Sequence, residues 1–307
     1  MKRSFYSLQY CSLFVPILIV TLGLSGCAIK PMKVTLAAEL NEHPTESSHD
    51  TVIANVPRNH YFLLASATMA GNSQLAMDAA RHIALHADQR KMREPGYGTL
   101  QHFSVMPLYT MIRFGKWDEI LAERSPLFDL RYPRGVWHYA RGMAFTAKGQ
   151  LKAAAREWVM LSVIASAPDL EKVTIWDINN AASLLKIASE VLAGELAAKQ
   201  GNYPEAIAHL DTAVNLEDQL KYDEPETWHY PVRQSLGAVL LQANRATEAE
   251  TVYREDLKHH PENGWSLFGL TQSLRAQGKT QEAAAVQKRF EKAWQYADIT
   301  LPPMIQK

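Results

Sequence analysis

The chain has 307 residues, with 32 basic and 32 acidic side chains, so its formal net charge is zero. A neutral chain without a run of basic residues has little attraction for several phosphates at once, which disfavours nucleic-acid binding. It contains two cysteines, Cys11 and Cys27. We therefore expect stability to come from packing of apolar side chains rather than from disulfide bonds.

The first residues have the pattern of an export signal. Lys2 and Arg3 precede an apolar stretch from Cys11 to Leu24, which is short for a membrane span and fits the hydrophobic region of a signal peptide. The string Leu24-Ser25-Gly26-Cys27 follows, and it resembles the lipobox of bacterial lipoproteins. The resemblance implies cleavage after residue 26 and a lipid anchor, including palmitate, on Cys27. An ordinary secretory signal or a signal anchor is the alternative.

The residues after the cysteine predict an address and a tether. Ala28 stands where an Asp would favour retention at the inner membrane by the lipoprotein sorting rule. The favoured location is therefore the outer membrane of a Gram-negative cell, facing the periplasm. Residues 28–57 are polar, contain Pro31 and Pro44 and lack periodicity, and a flexible chain of about 29 residues spans roughly 30 Å. We expect a signal peptide at 1–26 and an acylated, flexible tether at 27–57.

Residues 58–298 predict about six helical hairpins. Each has a long apolar helix, a tight turn and a second helix rich in Ala. The six turns are centred on Gly71, Gly115, Gly149, Gly201, Asn244 and Gly278. Gly, and after it Asn, is the residue that best adopts the left-handed conformation that ends a helix. Because one helix pair cannot bury its own apolar face, the pairs are expected to stack in chain order.

The spacing of small and aromatic residues resembles the tetratricopeptide repeat. The fifth unit fits best, with Leu236-Gly237, Leu240, Asn244, Ala249, Tyr253, Leu257 and Pro261, and the third offers Gly142, Phe145, Gly149, Ala154 and Trp158. The resemblance implies an all-α fold, a right-handed α-solenoid of about six helix-turn-helix repeats. Residues 299–307 would form a C-terminal tail.

In that family the first helices of the repeats line a concave groove, which implies a binding surface for an extended peptide or a partner helix. Mapping from the turns gives nine polar or aromatic groove candidates: Arg58, Tyr61, His102, Tyr109, Tyr139, Glu195, Gln234, Trp265 and Arg275. Aromatic and Arg side chains dominate the energetics of interfaces. The alternative for Tyr109 and Trp265 is a role in packing.

A second candidate site comes from a string that occurs twice. Trp137-His138-Tyr139 is followed by Arg141, and Trp228-His229-Tyr230 is followed by Arg233. His138, Arg141, His229 and Arg233 could form a row that receives a carboxylate, a phosphate or a metal. The alternative is structural, with aromatic rings in the seam between helices and the polar groups bound to loop carboxylates or carbonyls.

The common catalytic motifs are missing from the sequence. It has no Gly-x-Ser-x-Gly elbow, no phosphate-binding Gly-rich loop, no Cys-x-x-Cys pair and no His-Glu-x-x-His helix. We expect a non-enzymatic protein-interaction scaffold, tethered to the membrane by lipid, with a role in cell-envelope assembly and with no cofactor or metal. The alternatives are a metal- or cofactor-dependent enzyme and a protein that binds a small envelope ligand through the His, aromatic and Arg row.

Overall fold

The computed structural model describes residues 46–302, and it describes side chains from residue 58 onward. The predicted signal peptide, the Cys27 lipid site and most of the predicted tether lie outside the described residues. The described part is mostly helical, with one pair of two-residue strands. The expectation of an all-α fold is confirmed at this level.

The described residues form twelve α-helices. In chain order these are α1 (Glu46–Met69), α2 (Ser73–Leu85), α3 (Gly98–Arg113), α4 (Trp117–Ala122), α5 (Arg131–Ala147), α6 (Leu151–Ala165), α7 (Ala181–Lys199), α8 (Tyr203–Asp218), α9 (Val232–Gln242), α10 (Ala246–His259), α11 (Gly264–Ala276) and α12 (Thr280–Ala293). Two short 3-10 helices, Lys91–Arg93 and Pro168–Lys172, lie in longer connections. Strands β1 (Thr174–Ile175) and β2 (Asn179–Asn180) pair antiparallel just before α7.

Helix α1 begins earlier than the sequence suggested. It starts at Glu46, so residues 46–57 are helical, although they were expected to belong to the flexible tether. The predicted boundary at residue 57 therefore lies inside α1.

All six predicted turns have the same geometry. The turn residues, from Gly71 to Gly278, have positive φ angles between 58° and 79°, the 58° value belonging to Asn244. At each turn two backbone hydrogen bonds close the preceding helix; at the first, Asn72 N–H binds the Ala67 carbonyl and Gly71 N–H binds the Thr68 carbonyl. This pair of bonds satisfies carbonyls that the helix end leaves free. The predicted left-handed turns are confirmed.

The helices pack in chain order, each against the next one or two along the chain. Small residues allow this close approach. A Cβ atom on Gly237 of α9 would lie 2.5 Å from the Tyr253 ring, and one on Gly269 of α11 would lie 2.1 Å from the same ring. Tyr253 of α10 is completely buried between them. Glycine at these two positions therefore lets one aromatic ring join three consecutive helices.

The first and last hairpins are also in contact. The Trp294 ring, just after α12, packs against Gly71, where a Cβ atom would meet it at 2.4 Å. Trp265 of α11 donates its indole N–H to the Thr68 carbonyl of α1 at 2.9 Å. The sequence predicted an open array with a free concave face. Instead, two half-buried tryptophans near the C-terminal end pack against α1 and the turn that follows it, and the array closes on itself.

Candidate functional site

Much of the predicted groove is buried. Tyr61, His102, Tyr109, Tyr139 and Gln234 are all buried. Glu195 and Trp265 are half-buried, whereas Arg58 and Arg275 are exposed. The nine residues therefore do not form one accessible row. The reason is that α3, α5 and the segment before α9 pack their aromatic side chains against one another in the interior.

His102 is held in a buried network of tyrosines. Its Nε2 lies 3.2 Å from the Tyr61 hydroxyl and its Nδ1 lies 2.7 Å from the Tyr132 hydroxyl, which in turn lies 3.3 Å from the Tyr109 hydroxyl. Burial lowers the pKa of His102 to about 3, so the imidazole is neutral at pH 7. Both ring nitrogens are paired, and the residue joins α3 to α1 and α5.

His138 and Arg141 share one carboxylate. Glu157 of α6 lies 2.6 Å from His138 Nδ1 and accepts a hydrogen bond from Arg141 Nε at 2.9 Å. Burial raises the pKa of Glu157, but the hydrogen bonds from His138 and Arg141 lower it by more, so the carboxyl stays ionised at neutral pH. The Arg141 guanidinium also lies 4.6 Å from the centre of the Trp137 ring. These contacts join α5 to α6.

The second Trp-His-Tyr string has a different environment. It lies in the non-helical segment before α9, whereas Trp137 to Tyr139 lie within α5. The His229 ring stacks on Tyr109 with 4.2 Å between centroids, and neither ring nitrogen has a hydrogen-bond partner. The Tyr109 backbone lies near the ring without good hydrogen-bond geometry. The two strings are therefore alike in sequence and unlike in structure.

Burial and charge both act on His229. Burial lowers its pKa well below the usual value, and the positive charge of Arg113 lowers it further. The imidazole is therefore neutral at pH 7 and carries one N–H donor and one acceptor nitrogen. The neighbouring residue Trp228 is only 3% exposed, and its indole Nε1 is also buried without a hydrogen-bond partner.

Sequence reasoning missed Arg113, the last residue of α3. Its guanidinium carbon lies 3.5 Å from the Trp265 ring centre and 4.9 Å from the Tyr230 ring centre, which is a cation–π arrangement on two sides. Nη2 donates to Gln234 Oε1, and Nε is buried without a partner. Within residues 58–302 this guanidinium forms no ion pair. A basic residue in the last turn of a helix is commonplace, so no sequence pattern pointed to it.

A cleft of about 440 Å³ brings these groups together. Its walls come from α1, α3, the segment 222–230 and the end of α10; polar or aromatic lining residues include Tyr61, Tyr109, Arg113, Trp228, His229 and His260. The exposed rim carries Glu224 and Glu226. Of the residues predicted for binding, Tyr61, Tyr109 and His229 line the cleft.

His260 closes one side of the cleft. Its Nε2 lies 2.9 Å from Glu226 and its Nδ1 lies 2.9 Å from Asp256. Burial lowers the pKa of His260, but the two carboxylates raise it to about 10, so the imidazole stays protonated at neutral pH. Its charge is thus paired directly with two carboxylates, whereas Arg113 has no carboxylate in direct contact among the described residues.

The remaining predicted site residues lie outside the cleft. Arg233 forms two hydrogen bonds of 2.7 Å to Asp218 at the end of α8. Arg275 donates to Gln287 of α12, and Arg58 lies 5.7 Å from the Trp176 ring centre. Burial raises the pKa of Glu195 above its usual value. Each of these side chains has a local structural contact.

Among the described residues, no three His, Cys, Asp or Glu side chains are grouped so as to bind a metal ion. No helix within this same part of the chain combines the length and the apolar character needed to cross a bilayer.

Comparison with known proteins gives no match. No protein-family model, no curated protein sequence and no solved structure compared with this chain is similar to it. The resemblance to tetratricopeptide repeats therefore stays a prediction from the spacing of residues.

Proposed function

We propose that the helical unit is a non-catalytic binding protein that takes its ligand into the cleft. The observation that carries the proposal is the set of buried nitrogens without partners on Arg113, Trp228 and His229, all of which line the cleft. Leaving one buried polar group unpaired costs about 1–3 kcal/mol. A ligand that pairs with these nitrogens recovers part of that free energy on binding.

The size and walls of the cleft support the same function. Small-molecule sites are commonly about 300–1,000 Å³, mostly apolar, with a few polar groups that orient the ligand. This cleft measures about 440 Å³, and its apolar walls include Phe62, Leu64, Met69 and Met106. It fits one small molecule or the end of a longer chain rather than the long peptide first expected in an open groove.

The proposed setting combines the cleft with the sequence motifs. The lipobox-like string supports a lipid anchor on Cys27, and Ala28 favours the outer membrane of a Gram-negative bacterium, facing the periplasm. The turn spacing supports a TPR-like array as the carrier of the cleft. The protein is thus proposed to hold a ligand close to the membrane and to take part in cell-envelope assembly.

The test uses a variant that fills the cleft without removing any of its polar groups. Ala65 is half-buried on α1 and lines the cleft, so Ala65→Phe places a ring in it. Ala155 of α6 is also half-buried and lies outside the cleft, so Ala155→Phe is the matched control. Ligand-observed NMR with a mixed set of anionic, neutral and cationic fragments should show binding to wild type and to the control only. Equal binding to both variants, or none to wild type, would refute the proposal.

A second candidate function, docking of a protein partner, is favoured by the outer face of α6. Val159, Met160 and Val163 are 53%, 42% and 63% exposed and follow an i, i+1, i+4 pattern. Such a stripe fits an amphipathic helix of a partner. Val163→Glu should then abolish retention of the partner in pull-downs while fragment binding in the cleft stays unchanged. Retention that survives Val163→Glu would remove this candidate.

A further inference from the structure

Arg113 is a half-buried cation that forms no ion pair with any described residue, although the negative charge of Asp256 acts on it from beyond Gln234. Its guanidinium is covered by Trp265 and Tyr230, and its one side-chain hydrogen bond goes to a neutral amide, that of Gln234. Burial lowers the pKa of Arg113 to about 9, which leaves it positively charged at pH 7. Charges buried in proteins are normally paired. Arg141 illustrates the normal case, since it also contacts an aromatic ring but is paired with Glu157.

The neighbours of Arg113 in the cleft are suited to an anion as well. Trp228 Nε1 is a donor only, and the neutral His229 ring supplies one more N–H group. Both residues line the same cleft as Arg113, and none of their side-chain nitrogens has a partner. Arg113, Trp228 and His229 thus bring three kinds of N–H donor and a positive charge to the walls of the cleft, with their unpaired nitrogens buried within those walls.

The rim restricts the charge of the ligand. Asp223, Glu224 and Glu226 all line the cleft, and only Glu226 among them is paired with a cation, His260. Nearby carboxylates repel further negative charge, and the repulsion grows with the charge of the ligand. A doubly charged group such as a phosphate is therefore disfavoured relative to a single carboxylate. The planar guanidinium also matches a carboxylate through parallel N–H donors.

We infer that the cleft recognises a monocarboxylate with an apolar or aromatic body, the carboxylate being bound by Arg113. The apolar body would lie along Phe62, Leu64 and Met106, which line the same cleft. Trp228 and His229 would add hydrogen bonds to the carboxylate. The inference rests on the proposed function, because it names the ligand class of the proposed site.

The experiment compares probes that differ in one group. Full-length protein is titrated by isothermal calorimetry with 3-phenylpropionate, with the neutral 3-phenylpropan-1-ol and with inorganic phosphate. Binding of the carboxylate should be at least tenfold tighter than that of the alcohol, since hydrogen bonds to charged groups are the strong ones. Phosphate alone should not bind measurably.

Two variants assign the effect to Arg113. Arg113→Gln should weaken the binding of 3-phenylpropionate at least tenfold and leave the binding of the alcohol unchanged. Arg113→Lys should lose less affinity for 3-phenylpropionate than Arg113→Gln does. Arg141→Gln, which removes the aromatic-stacked arginine that already has a carboxylate, is the control and should leave the affinity of both probes unchanged. Thermal melting of each variant establishes that it is folded.

The outcomes separate this inference from the proposed function. If the alcohol and cationic fragments bind in the cleft as tightly as the carboxylate, the inference is wrong while the proposed function stands. If phosphate binds more tightly than the carboxylate, the inference is also wrong, and the site takes a phosphorylated ligand. If no fragment of any charge is displaced by Ala65→Phe, the proposed function fails and the inference fails with it.

Discussion

The carboxylate of Asp298 accepts a hydrogen bond from the backbone N–H of Ser73 at 2.6 Å, although 225 positions separate the two residues. Its second oxygen accepts from the backbone N–H of Gln74 at 2.8 Å. A carboxylate in the first turn satisfies free N–H groups and interacts favourably with the helix dipole. The segment after α12 thus supplies a cap to α2 and joins the last hairpin to the first.

Removing this cap should loosen the closure of the array. Asp298→Asn is expected to lower the free energy of unfolding by up to about 1 kcal/mol at pH 7, because one backbone N–H loses its acceptor and the negative charge beside the helix N-terminus is removed. Burial raises the pKa of Asp298, but the hydrogen bonds from Gln74 and Ser73 lower it by more. Because the net shift is downward, the stabilisation is present above the usual Asp pKa and is lost as the pH falls through the folded value.

Thermal melts between pH 3 and pH 7 provide the measurement for Asp298→Asn. The difference between wild type and the variant should disappear at the acid end. Glu171→Gln, which changes an exposed carboxyl in the 3-10 helix Pro168–Lys172, is the control and should melt like wild type throughout. A destabilisation by Asp298→Asn that persists unchanged at pH 3 would contradict the capping role.

A methyl group added at Gly269 should destabilise the array despite a better helix propensity. Alanine is favoured over glycine in helices by about 1 kcal/mol, but the new Cβ would lie 2.1 Å from the Tyr253 ring. Overpacking of a core costs about 1–3 kcal/mol, so Gly269→Ala should lower stability in urea unfolding. Combining it with Tyr253→Leu should cost less than the sum of the two single changes. Strict additivity would show that the ring is not the obstacle.

The ion pairs of His260 should make stability depend on pH on the alkaline side. The folded pKa of about 10 lies above the usual value of 6.5, so the contribution is complete below about pH 6.5 and is lost as the pH rises through 10. We expect His260→Gln to cost about 2 kcal/mol at pH 6 and almost nothing above pH 10. His86→Gln, on the exposed end of α2, is the control. A cost that does not change with pH would argue against the ion pairs.

The same substitution in the two Trp-His-Tyr strings should give opposite results. His138→Phe removes the partner of Glu157 and should lower the melting temperature by several degrees. His229→Phe keeps a ring stacked on Tyr109 and removes two buried nitrogens that have no partners, so the melting temperature should stay level or rise. Differential scanning calorimetry measures both. A larger loss for His229→Phe would show that this histidine has a structural role.

Much of the fold was predictable because helices and turns depend on nearby residues. The left-handed turn at Asn244 needs only a residue that tolerates positive φ and the hydrogen bonds of the preceding helix, here from Asn244 N–H to the Leu241 carbonyl. The same local reasoning located the other five turns and the helical class of the fold. It was less successful at the start of α1, where a polar composition suggested a tether.

The site was predictable only in part. Tyr61, Tyr109 and His229 were selected from the sequence and do line the cleft, but His138 was assigned to the same row and is instead paired with Glu157. Arg113 was not selected at all, because its side-chain hydrogen bond goes to Gln234, which lies 121 positions away in the sequence.

The helices, their left-handed turns and the small residues that let neighbouring helices approach follow from the amino-acid sequence alone, since these depend on contacts within a few turns of chain. Which polar groups are paired depends instead on the three-dimensional packing of the helices. Arg141 is paired with a carboxylate and Arg113 is not, and this difference depends on which segment of the chain covers each guanidinium. Trp265 covers Arg113 and also donates to the Thr68 carbonyl of α1, so the covering of Arg113 belongs to the closure that replaced an expected open groove by a cleft.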